Sequence, residues 1–192
     1  NRVSTTESNI TQQAGQITSV VERVDSIKIG GRNLALWTNQ GKKGWGHISG
    51  GNGGFSWSDV EAFGVSAAKF TVSALSSSWL FIYHDINKPA IKKGEYYTLS
   101  FDALSDFDTT AAIQLQSTWS DNKIVDFGTI SLKANESKHI VLTAKSLGIS
   151  NERQVIYMLG FNNIGSVVFA NLKLEEGNKA TSWSPAPEDV QE

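Results

Sequence analysis

Two periodicities divide the chain. In residues 1–29, "NRVSTTESNITQQAGQITSVVERVDSIKI", the apolar positions Val3, Ile10, Ile17 and Val24 recur every seven residues. Thr6, Gln13, Val20 and Ile27 follow three residues after each of them. This is a heptad whose a positions are all β-branched and whose d positions are half polar, a pattern that favours three strands over two. About four heptads lies near the lower limit for an isolated coiled coil. Thr6 and Gln13 weaken the seam and can fix its register, and Gly15 costs about 1 kcal/mol of helix propensity. The expected arrangement is a homotrimer through residues 1–29; a single amphipathic helix packed on its own domain is the alternative.

"IGGRN", residues 29–33, breaks the helix, and its two glycines are expected to form a joint. Beyond it the period is two. Ten strands are expected, near 32–38, 54–58, 67–75, 77–86, 95–104, 111–119, 124–132, 138–145, 154–161 and 166–175, separated by Gly, Asn and Ser clusters. Tyr97, Leu99, Phe101 and Ala103 alternate with Thr98, Ser100 and Asp102, which reads as one buried and one wet face. Regular short strands without intervening helices predict a mainly β chain, a jelly-roll β-sandwich preceded by a short N-terminal α-helix.

Composition narrows the chemistry. A net charge of −2 gives no electrostatic attraction to nucleic acid or anionic lipid. With no cysteine, disulfides and thiolate metal sites are excluded. No apolar run reaches the length of a membrane span, so no membrane partner is expected. The chain begins at Asn1 and reads as part of something longer.

A catalytic constellation is not visible. His47, His84 and His139 lack metal-ligand spacing, and no nucleophile elbow occurs. "GGNGGFSW" has the glycines of a phosphate loop but not its lysine. Asp102, Asp106 and Asp108 cluster as a hydrated turn would; paired carboxylates of a glycoside hydrolase or oxygens for calcium are the rival readings. No catalytic residue and no metal ligand is assigned.

Aromatic placement is the unusual feature. In "SSWLFIYHD", Trp79, Phe81 and Tyr83 share one face of a strand and Leu80, Ile82 and His84 the other. In "AAIQLQSTW", Gln114 and Gln116 alternate with Ile113 and Leu115. Flat rings stack on the C–H face of a sugar and amides meet its hydroxyls. The expected carbohydrate-binding residues are therefore Trp57, Trp79, Tyr83 and Trp119 for stacking, with Gln114 and Gln116 for hydrogen bonding. The competing reading places Trp79, Phe81 and Tyr83 in the core. Trp45, Trp57 and Trp119 read as exposed loop residues, Trp37 and Trp183 as structural.

"GGRNLALWT" at one end and "NLKLEEGNKATSWSPAPEDVQ" at the other resemble a module repeated in tail proteins of phages that infect Gram-positive bacteria. Leu174, Glu175, Gly177, Ala180, Thr181, Trp183, Pro185, Pro187, Glu188 and Asp189 carry most of the likeness. The resemblance implies a jelly-roll carbohydrate-binding domain over 30–184, a helical coiled-coil segment over 1–29 and a linker to a following module over 185–192. It implies a non-catalytic, virion-borne adhesin at the tail tip or baseplate, with host cell-wall polysaccharide and other tail or baseplate proteins as partners. A ligand-free structural spacer of a tail fibre is the alternative. Some related modules hold a structural calcium through an acidic residue of the last strand. Ala170 and Asn171 stand there in this chain, so no cofactor is expected.

Overall fold

The computed structural model describes residues 2–50, 54–75, 79–86, 91–117, 123–148, 153–159 and 163–190, with backbone alone at 48–50, 79, 80 and 159. Helix α1 spans Arg2–Asp25 and buries none of its residues. The arrangement in which it packs on its own domain is therefore absent, and the a-position residues Val3, Ile10, Ile17 and Val24 are 59–70% exposed. Within the helix, the Thr6 hydroxyl donates to the Arg2 carbonyl, so this polar d position carries no unpaired donor.

Ten strands follow among the described residues: β1 Trp45–Gly50, β2 Gly54–Ala62, β3 Val65–Ala74, β4 Trp79–Asp85, β5 Tyr96–Ser105, β6 Thr109–Ser117, β7 Lys123–Leu132, β8 Lys138–Lys145, β9 Gln154–Leu159 and β10 Gly165–Glu176. They form two five-stranded antiparallel sheets, β1-β4-β9-β6-β7 and β2-β3-β10-β5-β8. This is a jelly-roll β-sandwich with a single N-terminal helix. Its core is where the inner faces meet: Ile82, Ile113, Leu115, Ile156 and Met158 from the first sheet, Phe70, Leu99, Phe101, Phe169 and Leu174 from the second.

Two expectations about strands need correction. Residues 32–38 form no strand; they make an isolated bridge, Ala35 with Ile86, and Trp37 takes a φ of +58° that no strand allows. β1 stands in their place, in a stretch whose glycines hid it. On β5 the face expected to be wet is covered: Thr98 and Ser100 are buried. The Thr98 hydroxyl donates to the Gly177 carbonyl and bonds Thr143, so burial leaves it satisfied.

The two terminal signatures are one unit in space. The buried Asn33 amide reaches the Leu172 and Ser184 carbonyls, and its oxygen accepts from the Ala35 and Leu174 amides. Trp183 donates its indole N–H to the Leu172 carbonyl. The expected linker is part of the fold as far as Asp189: Ala186 is fully buried, Glu188 pairs with Arg32, and Asp189 accepts the Trp37 N–H. Pro187–Asp189 form a single 3₁₀ turn, which proline opens because it needs no N–H partner there.

The glycine joint is clamped rather than free. Asn178 accepts the Lys28 N–H, donates to the Ser26 carbonyl and sends its own N–H to the Lys28 carbonyl. Gly30 is required for space: a Cβ there would lie 2.4 Å from the Glu175 carboxylate.

Candidate functional site

The outward face of the first sheet follows from its register. Because Ile82, Ile113, Leu115, Ile156 and Met158 point into the core, their strand neighbours point out. One row across the sheet reads Gly46, Tyr83, Tyr157, Gln114, Asp126, and the next reads Asp85, Val155, Gln116, Lys123. Phe81 stands beside Tyr83 on β4.

Their burial grades inward as in a shallow trough. Tyr157 and Gln114 are only 5% and 7% exposed and form its floor, with Phe81, Tyr83 and Gln116 half-buried around them. Tyr157 meets Phe81 and Tyr83 edge-on, at centroid distances of 6.2 and 6.0 Å, the geometry aromatic quadrupoles favour. Gln116 donates to the Gln114 carbonyl oxygen at 2.6 Å. The two amides are thus tied into one unit, which lowers the entropy of fixing either against a ligand.

Charges on the face are balanced locally. Arg153 holds Asp85 through Nε and Nη2 at 2.7 and 2.6 Å, a bidentate fork. Asp85 raises the Arg153 pKa above its ordinary value. Across the trough, Lys123 pairs with Asp126 at 3.0 Å, and that hydrogen bond holds the Asp126 carboxyl below its usual range.

Of the expected binding residues, the structure brings Tyr83, Gln114 and Gln116 together on this face. Trp57 is not part of it. It lies on β2, the edge strand of the other sheet, opposite Phe70, with His47 at 4.8 Å. Trp79 opens β4 and its backbone pairs with Gly50, but its side chain lies outside the described residues, as does all of Trp119. Trp45, read as an exposed loop residue, belongs to β1 and packs against Phe70, Phe169 and His84. Phe81, Tyr157, Asp85 and Arg153 were missed as site residues. "QVIYML" is apolar on both faces, so alternation gave no sign that Tyr157 faces outward.

The aspartate cluster is spent on loops and strand packing. Asp108 holds Lys133 and the Ala134 N–H, Asp106 accepts the Ser166 N–H, and Asp102 lies between His139 and Asn171. Asn171 occupies a bulge in β10 at φ +53°. Among the described residues no three His, Cys, Asp or Glu side chains converge as metal ligands.

Beneath the trough, on the inward face of β4, His84 is fully buried against Trp45. Burial lowers its pKa from 6.5 to about 4. Between those values the unfolded chain binds a proton that the folded chain refuses, so stability falls as pH falls from 6.5 toward 4 and is level above 6.5. The full difference is about 3 kcal/mol. His47 shifts in the same direction through burial. Urea unfolding at pH 7 and pH 4.5 should show most of that loss, and a His84→Phe variant should lose much less. An equal pH dependence in both would remove His84 as its source.

No protein-family model and no curated protein matches the sequence. The fold does have counterparts among solved structures. A family 4 carbohydrate-binding module is 17% identical with a TM-score of 0.55, over 72% of this chain and 98% of that one. The N-terminal cellulose-binding domain of a Cellulomonas fimi β-1,4-glucanase C is 14% identical with a TM-score of 0.57, over 78% of this chain and 100% of that one. The enzymatically active domain of tailspike protein 4 of bacteriophage CBA120 is 14% identical with a TM-score of 0.54, over 74% of this chain but 21% of that one. The class defined here is therefore a fold: the jelly roll of carbohydrate-binding modules.

Proposed function

We propose that the chain is a non-catalytic carbohydrate-binding module of a phage tail or baseplate protein, which adheres to host cell-wall saccharide. The observation that carries this reading is the trough: Phe81, Tyr83 and Tyr157 beside the linked amides of Gln114 and Gln116. Rings there contact the C–H faces of a glycan while the amides exchange hydrogen bonds with its hydroxyls. Trp79 and Trp119 remain proposed stacking residues, whereas Trp57 is withdrawn to the sandwich edge. The fold supports the reading, since its counterparts include a cellulose-binding domain and a family 11 carbohydrate-binding module in complex with a β-1,3-1,4-mixed-linked tetrasaccharide.

Presentation as a trimer through α1 completes the proposal. Val3, Ile10, Ile17 and Val24 form an apolar stripe that is 59–70% exposed and that no other described residue of the chain covers. Three such stripes form a coiled coil, and three troughs on one stalk bind a repeating polymer with avidity.

The test is retention of fluorescently tagged protein on intact Gram-positive cells and on their purified wall polysaccharides, with and without chelator. Saturable retention on one polysaccharide, unchanged by chelator, is expected. Tyr83→Ala should weaken it by roughly thirtyfold, the effect of an aromatic hot spot near 2 kcal/mol, and Gln116→Ala by less. A folded protein retained by no wall polysaccharide would move the reading to a ligand-free spacer of a tail fibre.

A further inference from the structure

Tyr83 is held from two sides. The tip of its ring fills the space in which a side chain on Gly46 would start: a Cβ there would lie 2.4 Å from Cζ and 2.5 Å from the hydroxyl oxygen. Gly46 is the direct cross-strand partner of Tyr83, so the ring lies across β1 instead of standing off the sheet. Over the ring sits the Arg153 guanidinium, 5.8 Å from the centroid, within the range of a cation–π contact. Arg153 is itself aimed by the Asp85 fork, two residues along β4 from Tyr83. The arrangement uses the properties that separate arginine from lysine: a planar cation that grips a carboxylate with two N–H groups while lying over an aromatic ring.

We propose that Arg153 is a positioning residue for saccharide binding: fixed by Asp85, it pins the Tyr83 ring against Gly46 and so presents one wall of the trough already in its binding conformation. This rests on the reading of the trough as a glycan site. A tyrosine on an open sheet face keeps several rotamers, and ordering it costs affinity when a ligand arrives. Here the order is built in by three residues that need no contact with the ligand.

The experiment has two readouts. The first needs no ligand: NMR of protein carrying ring-¹³C tyrosine, with the Tyr83 signal assigned through Tyr83→Phe. The second is titration with purified Gram-positive wall polysaccharide, a β-1,3-1,4-mixed-linked tetrasaccharide and xylohexaose. Arg153→Ala and Asp85→Asn should each shift the Tyr83 ring signal and weaken binding by roughly three- to tenfold, the cost of freeing one side chain. Arg153→Lys, which keeps the charge but not the fork, should fall between them and wild type. Gly46→Ala should displace the ring without touching Arg153 and weaken binding likewise. An unmoved ring signal in Arg153→Ala overturns the pin. A moved signal with unchanged or tighter binding also overturns the proposal, because Arg153 would then be a cover over Tyr83. If wild type binds none of the three probes, the glycan reading fails, and the ring signal still decides whether Arg153 pins Tyr83.

Discussion

Replacing Ile10 and Ile17 together by aspartate should convert the proposed trimer to a monomer and lower retention on a wall polysaccharide by roughly 10²–10⁴-fold. Both residues occupy a positions and lie exposed on α1 in the single chain. In a three-stranded seam each contributes to a layer of three branched side chains, and three carboxylates cannot share that layer without solvent. The jelly roll should not notice, because no residue of α1 is buried against it. Sedimentation equilibrium gives the mass, and retention on immobilised polysaccharide gives the avidity. The single-site affinity for a short oligosaccharide should be unchanged. A wild-type chain that is monomeric at high concentration would sink the coiled coil, and a variant that stays trimeric would place the interface elsewhere.

Glu175→Gln should destabilise the domain by about 3–5 kcal/mol, a fall in Tm of roughly 10–15 °C. Glu175 is fully buried, and so is Lys173, whose ammonium lies 3.8 Å from it. The carboxylate accepts the N–H and the hydroxyl of Thr181, while Lys173 donates to that hydroxyl and to the Ser182 carbonyl. Together they tie the segment after β10 back onto the strand. Removing one charge leaves the other buried and unpaired, which costs more than the pair itself contributes. The double replacement Lys173→Met with Glu175→Gln should recover part of the loss. Thermal unfolding of wild type, both single variants and the double variant measures the coupling. Additive losses would mean that the two charges do not depend on each other.

Both predictions show how far the sequence could be read. The heptad was visible because its period of seven is a local property; α1 covers Arg2–Asp25 of the expected 1–29 and stops short of the last d position, Ile27. Alternation in "YYTLSFDAL" and "AAIQLQS" gave the inner faces of β5 and β6, since contrast between apolar and polar neighbours reports which side is covered. It failed where polarity and burial part company, as at Thr98 and Ser100, which are polar yet buried. It also failed where contrast vanished, as in "QVIYML", where Tyr157 faces outward in a run apolar on both faces. Glycines concealed β1, where Gly46 is needed to make room for the Tyr83 ring. The tail "SPAPED" has the composition of a linker, yet Ala186 and Asp189 dock it beside Trp37.

The sequence alone determined the division into an amphipathic helix and a β-sandwich, and the side of β6 on which Gln114 and Gln116 stand. Those features depend on residues a few positions apart, where periodicity is sufficient. Only the tertiary structure decided which distant strands lie side by side: β9 between β4 and β6, bringing Tyr157 between Tyr83 and Gln114, with Arg153 beside Asp85. It likewise placed Trp57 on the other sheet and joined Asn33 to the last strand. Such neighbours are chosen by how whole sheets bury their faces against each other, a property that no local window of the chain contains.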